Sequence, residues 1–223
     1  MSHFIFMLTR SDQTVTNARE VYKNIRPCGL QYVGFKDIGL PLDELKLLTN
    51  DIRQDGCKVM LEVISNTQES ELRSIEAAIE LKVDYLLGGR HAKEAVKLIK
   101  GRNIQYFPFA GHTVGHPTKL TGTIQEIVED AKELCALEGV HGLDLLAYRF
   151  AGDVPDLAHQ VVQAVKKPVI AAGSIDSPER VQIMRASGMW AFTVGSALFD
   201  GLFPTNSMKV QVESVLKLEG VRV

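Results

Sequence analysis

Eight times along the chain a short apolar or β-branched run gives way to a longer amphipathic stretch, and that alternation leaves few folds open. The runs are His3–Leu8, Gln31–Lys36, Lys58–Ile64, Asp84–Leu87, Ile104–Phe107, Gly142–Ala147, Pro168–Ala172 and Ala191–Val194. The stretches that follow are Val15–Ile25, Leu42–Gln54, Glu69–Lys82, Ala92–Lys100, Ile124–Leu137, Pro155–Val165, Pro178–Ala186 and a last segment from Ser207 to Leu218. Each repeats apolar residues at helical spacing. In the third, Ile75, Ala78, Ile79 and Lys82 recur at helical spacing while Glu71, Arg73 and Glu76 are expected to face out. Eight strand–helix units in 223 residues is close to the shortest length a (β/α)8 barrel takes. An open doubly wound sheet fits less well, because no Gly-x-Gly-x-x-Gly follows the first strand. The expectation is α/β: a single TIM-barrel domain over residues 1–223, with no linker.

Punctuation agrees with these boundaries. Asn66-Thr67-Gln68-Glu69 and Ser177-Pro178-Glu179 read as helix caps with an acid in the first turn. Gly29, Gly56, Gly101, Gly139 and Gly188 fall where a left-handed residue closes a helix.

Twenty-five basic against 27 acidic residues, a net charge of −2, gives no reason to expect nucleic acid or an anionic membrane as partner. The apolar start, Met1 to Arg10, lacks a basic leader and a cleavage site and reads as a first strand. No apolar run approaches the 18 or so residues of a membrane helix. Cys28, Cys57 and Cys135 form an odd set without C-x-x-C spacing and are expected to be free thiols of a cytoplasmic protein.

Two of the strands end alike, in Gly173-Ser174 and Gly195-Ser196. In a TIM barrel the loops after strands seven and eight are a common phosphate site. Glycines there let backbone amides close round an anion, a serine adds a donor, and a helix starting at Ala197–Leu198 adds partial positive charge. These four residues are expected to bind a phosphorylated small molecule.

The stretch Pro168 to Gly201, with "VIAAGSI…SPERV…ASG…VGSAL", resembles the ribulose-phosphate-binding barrel superfamily of sugar-phosphate epimerases, decarboxylases and lyases. The resemblance implies a phosphorylated ligand and, as in many small barrels, a homodimer; it leaves the reaction open. Histidine–aspartate metal sites of the ribulose-phosphate epimerase kind are missing. So is the Asp-x-Lys-x-x-Asp of the orotidine- and gulonate-phosphate decarboxylases. Ala172 stands where N-acylmannosamine-phosphate epimerases usually carry an acid.

Other candidates come from the strand ends. Lys36 closes strand two and Glu62 interrupts the apolar strand three; facing inward on neighbouring strands, they would form a pair able to move a proton beside a carbonyl. Gly88-Gly89-Arg90-His91 ends strand four, where His91 is either a catalytic group or the cap of the next helix. The loop Pro108–Leu120 carries His112, His116 and Lys119 and reads as a substrate-facing lid. Gly115 and Pro117 speak against a helix that would align the two histidines on a metal, and neither metal nor cofactor is expected. Arg149, at the mouth of strand six, can clamp a carboxylate or phosphate, and Asp144 within that strand is read as the answer to a buried cation. Trp190 is read as packing. The set Lys36, Glu62, His91, His112 with Arg90 and Arg149 suits an isomerase or epimerase acting by enolisation. Imine-forming or decarboxylating lyases, and a regulator resembling the glycerol-operon antiterminator, are the alternatives.

Overall fold

The computed structural model describes residues 2–65, 67–115, 117–204 and 207–220; Asn66 and His116 lie outside them. Eight strands line up in one parallel sheet: β1 (His3–Met7), β2 (Tyr32–Lys36), β3 (Lys58–Val63), β4 (Tyr85–Gly88), β5 (Gln105–Phe107), β6 (Leu143–Leu145), β7 (Val169–Ala171) and β8 (Ala191–Val194). Their order is β6-β7-β8-β1-β2-β3-β4-β5. The ends meet where Gly142 N donates to Tyr106 O at 3.3 Å, Asp144 N to Pro108 O at 2.9 Å and Ala110 N to Asp144 O at 3.0 Å. The molecule is a (β/α)8 TIM barrel.

Around it run α1 (Ala18–Ile25), α2 (Leu42–Gln54), α3 (Gln68–Leu81), α4 (Ala92–Leu98), α5 (Ile124–Ala136), α6 (Val154–Ala164), α7 (Pro178–Ala186), a single turn α8 (Ser196–Phe199) and α9 (Met208–Gly220). Among the described residues no helix is long and apolar enough to cross a membrane. Helix starts follow the capping logic: Thr67, Thr123 and Ser177 each accept the amide three residues on. All five glycines expected after helices have positive φ. Two hairpins, unmarked by any Asn-Gly or Asp-Gly, were not foreseen: Thr9–Arg10 with Gln13–Thr14, and His112–Val114 with Lys119–Thr121. The first shortens the strand and delays α1 to Ala18. The second gives the expected lid loop a ladder of its own.

Outward residues such as Phe4, Phe6, Val33, Phe35 and Leu61 pack under the helices, while Ile5, Met60, Leu87, Phe107 and Ile170 fill the barrel. That division follows from the two-residue alternation of strands. Gly142 makes room for the Phe107 ring, since a Cβ there would stand 2.1 Å from it. Trp190 packs at the bottom against Tyr85, 5.9 Å between centroids, and against Tyr32 and Phe107 at 5.7 Å. This plug, with His3 on its edge at 5.4 Å, closes the floor with aromatic rings, while the charged groups inside the barrel stand toward the C-terminal mouth. Lys58 turns away to Asp84 at 2.8 Å.

Candidate active site

Lys36 and Glu62 are register partners on β2 and β3, and alternation turns both inward at the mouth. Lys36 Nζ stands 3.3 Å from Glu62 Oε1 and 3.1 Å from Asp12 Oδ1. Asp37, the sequence neighbour available to Lys36, instead accepts from Ile64 N at 3.1 Å and from the hydroxyls of Ser65 and Ser74 at 2.5 and 2.8 Å. Burial works to lower the Lys36 pKa, but the carboxylates of Glu62 and Asp12 outweigh it and hold the group above its ordinary value. The side chain is therefore an ammonium at neutral pH, with two of its three protons already given to carboxylates.

Asp12 is the residue that sequence reasoning missed. It sits in the turn of the first hairpin, where Ser11 and Asp12 take φ of 51° and 60°. A left-handed conformation costs a side-chain-bearing residue on the order of 1 kcal/mol, and here it aims the Asp12 carboxylate into the mouth. Arg149 reaches the same carboxylate with Nη2 at 3.0 Å and Nη1 at 3.3 Å, and also donates to Thr118 O at 3.2 Å. Burial works to raise Asp12, and the Lys36 and Arg149 cations overcome it, holding the group below the ordinary aspartate value.

Asp144 lies on the inner wall, fully buried, and among the described residues neither carboxylate oxygen has a hydrogen-bond partner. The expectation that it answers a buried cation is corrected: Lys36 is spent on Asp12 and Glu62. Burial pushes the Asp144 pKa well above its ordinary value, the Glu62 charge adds to the rise, and Lys36 opposes it. The protonated form of Asp144 is thus favoured beneath the charged pair.

One cavity of about 210 Å³ joins these groups to the loops after β7 and β8, its walls including Lys36, Glu62, Asp12, Arg149, Gly173, Ser174, Gly195 and Ser196. The glycines have a more specific reason than expected. A Cβ on Gly173 would come within 3.1 Å of Arg149 Cγ, and one on Gly195 within 2.7 Å of Thr9 Oγ1. They admit the arginine and the hairpin that complete the cavity. Arg180 ties down the Ser174 carbonyl and Asp176, and stacks over Tyr148 at 4.5 Å.

The structure does not bring His91, His112 or Arg90 to this cavity. His91 occupies the cap position of α4, the bland alternative, and its Nδ1 meets Glu71 Oε2 at 2.7 Å. Glu71, expected outside, is fully buried because Gly89 comes close enough for its oxygens to collect the amides of Arg90 and His91 at 2.9–3.0 Å. Arg90 and exposed His112 line a separate cavity between the β4 and β5 loops and α5, and Arg90 Nε donates to Thr113 Oγ1 at 2.8 Å. Replacing Glu71 with alanine strands these donors and is expected to cost about 2–4 kcal/mol, read as a lower unfolding midpoint with ligand binding at the first cavity intact.

No family model and no curated protein matches this sequence. Solved structures do. Orotidine 5′-phosphate decarboxylase from Pyrococcus horikoshii superposes with a TM-score of 0.68 at 12% identity, over 98% of this chain and all of that one. Thiamine phosphate pyrophosphorylase from Pyrococcus furiosus gives 0.66 at 15% identity, over 97% and 94%. N-acetylmannosamine-6-phosphate 2-epimerase from Clostridium perfringens gives 0.64 at 14% identity, over 87% and 86%. The likeness is one of fold: the chain shares the (β/α)8 barrel of these three enzymes.

Proposed function

We propose that this barrel is a metal-independent enzyme that moves a proton beside the carbonyl of a phosphorylated small sugar or related metabolite, as an isomerase or epimerase. The observation that carries the reading is a buried ammonium, Lys36, held between two carboxylates at one end of a cavity whose other end is Gly173-Ser174 and Gly195-Ser196. The fold supports a phosphorylated ligand, since each of the three structural neighbours is named for a phosphorylated compound.

In this reading the phosphoryl group rests on the β7 and β8 loops and the carbonyl oxygen takes the third Lys36 proton. Glu62 removes the proton from the adjacent carbon, the C–H electrons form the enolate, and the Lys36 ammonium stabilises the negative oxygen. Return of the proton to the opposite face of the same carbon inverts the centre; delivery of the proton to the former carbonyl carbon, with the proton of the adjacent hydroxyl passing to the enolate oxygen, isomerises the sugar. Arg149 and Asp12 hold the ammonium in place. Lys36 supplies the positive charge at the carbonyl oxygen. Imine chemistry needs the neutral amine, which Glu62 and Asp12 disfavour.

The test is a panel of sugar phosphates with unphosphorylated controls. A ligand at 100 times its dissociation constant adds about 2.7 kcal/mol, several degrees in unfolding midpoint, and only phosphorylated members should give it. A stabilising ligand incubated in heavy water should then acquire deuterium beside its carbonyl. Borohydride trapping of the ligand on Lys36 would instead establish the imine route.

A further inference from the structure

The hairpin after β1 touches both ends of the cavity. Its first strand leans on the β8 loop: Thr9 fills the space left by Gly195, the Ser11 amide donates to Ser196 Oγ at 3.2 Å, and Arg10 pairs with Asp200 at 2.7 Å. Its other half grips the end of β2. Thr14 Oγ1 accepts the Lys36 amide and donates to the Lys36 carbonyl, both at 2.9 Å, while Asp12 holds the Lys36 and Arg149 cations. Ser11 and Asp12 are adjacent and share one left-handed turn, so the two contacts are joined by a single stretch of backbone.

We propose that this hairpin is a positioning element that couples phosphoryl binding at Ser196 to the placement of Asp12 on Lys36 and Arg149. A hydroxyl has one proton and two lone pairs. With a lone pair engaged by the Ser11 amide, the Ser196 proton is left to point at an incoming phosphoryl oxygen, and each bond of such a chain strengthens the next. An anion on Ser196 thereby tightens Ser11 and fixes Asp12. The coupling is reciprocal: a turn that holds Asp12 firmly also prepares Ser196. Ser11 acts through its backbone and Arg10 through Asp200; neither needs to touch the ligand. The inference rests on the phosphoryl reading of the β7 and β8 loops.

The test is amide hydrogen exchange on the full chain, with inorganic phosphate as probe and chloride at equal ionic strength as control, beside the unfolding midpoint. Phosphate should raise the midpoint and slow exchange at Ser11 and Asp12 by about tenfold, within the usual range of coupling between sites. Ser196→Ala should lose the slowing, and Arg10→Ala should weaken it while the chain still folds, because the Arg10–Asp200 pair is exposed. A raised midpoint with unchanged exchange over residues 9–14 overturns the coupling and leaves the phosphoryl site standing. No midpoint shift with phosphate or any sugar phosphate overturns the site reading, and the coupling with it.

Discussion

Lys36→Met should lower the unfolding midpoint by on the order of 10 °C and abolish turnover. The ammonium is buried, and removing it leaves Glu62 without its cation and Asp12 with Arg149 alone. Breaking one side of a buried pair costs about 3–5 kcal/mol, and each kcal/mol is worth about 2–4 °C in a chain of this size. The second arm separates lost charge from lost packing. Adding Glu62→Gln to Lys36→Met removes the stranded carboxylate and should recover part of the midpoint, although activity stays absent. A midpoint within a degree of the parent would mean that the pair is solvated and that its role as a buried charge relay is wrong.

Asp144→Asn should change how stability depends on pH. Burial and the Glu62 charge raise the folded-state pKa of Asp144 well above its ordinary value. The unfolded chain releases this proton near pH 4 while the folded chain keeps it. Stability is therefore fully present below that value and falls as pH rises through the folded pKa, by about 1.4 kcal/mol for each unit of difference. The groups that bear on Asp144 are Glu62 on β3 and Lys36 on β2, while the segment after β5 and strand β7 bring Phe109 and Ile170 alongside it. Asparagine has no proton to lose. Unfolding midpoints of the two proteins should run together in acid and separate toward neutral and alkaline pH, with the variant the more stable. Parallel curves across the range would sink the idea of a neutral acid in the barrel wall.

The Lys36–Glu62 pair was legible because two local rules determine it. Alternation points every second strand residue inward, and a parallel register sets neighbouring strand ends side by side. Arg149 and the two Gly-Ser endings were legible for a related reason: barrel topology assigns the ends of strands six, seven and eight to the same mouth. His91 and His112 also stand near strand ends, yet they face other surroundings. The difference lies in backbone detail: Gly88 and Gly89 take φ of 76° and 81° and swing the His91 amide and ring toward Glu71. Glu71 itself follows the helical period of a solvent-facing residue; only the loop folded over the start of α3 makes it a buried acceptor.

The spacing of apolar residues, the caps and the glycines that end helices all act within a few residues, so the order of strands and helices and the barrel they form could be read from the chain alone. Asp12 could not. Ser11-Asp12 carries no strong turn signal, and its meaning depends on groups 24, 50 and 137 positions further along, Lys36, Glu62 and Arg149. Closing the barrel brings those groups together, and burial then decides their charges. The ammonium persists because two carboxylates surround it, and burial with the Glu62 charge drives the Asp144 pKa up. Charge in a low-dielectric interior is set by what lies within a few ångströms in space, and only the tertiary structure supplies those neighbours.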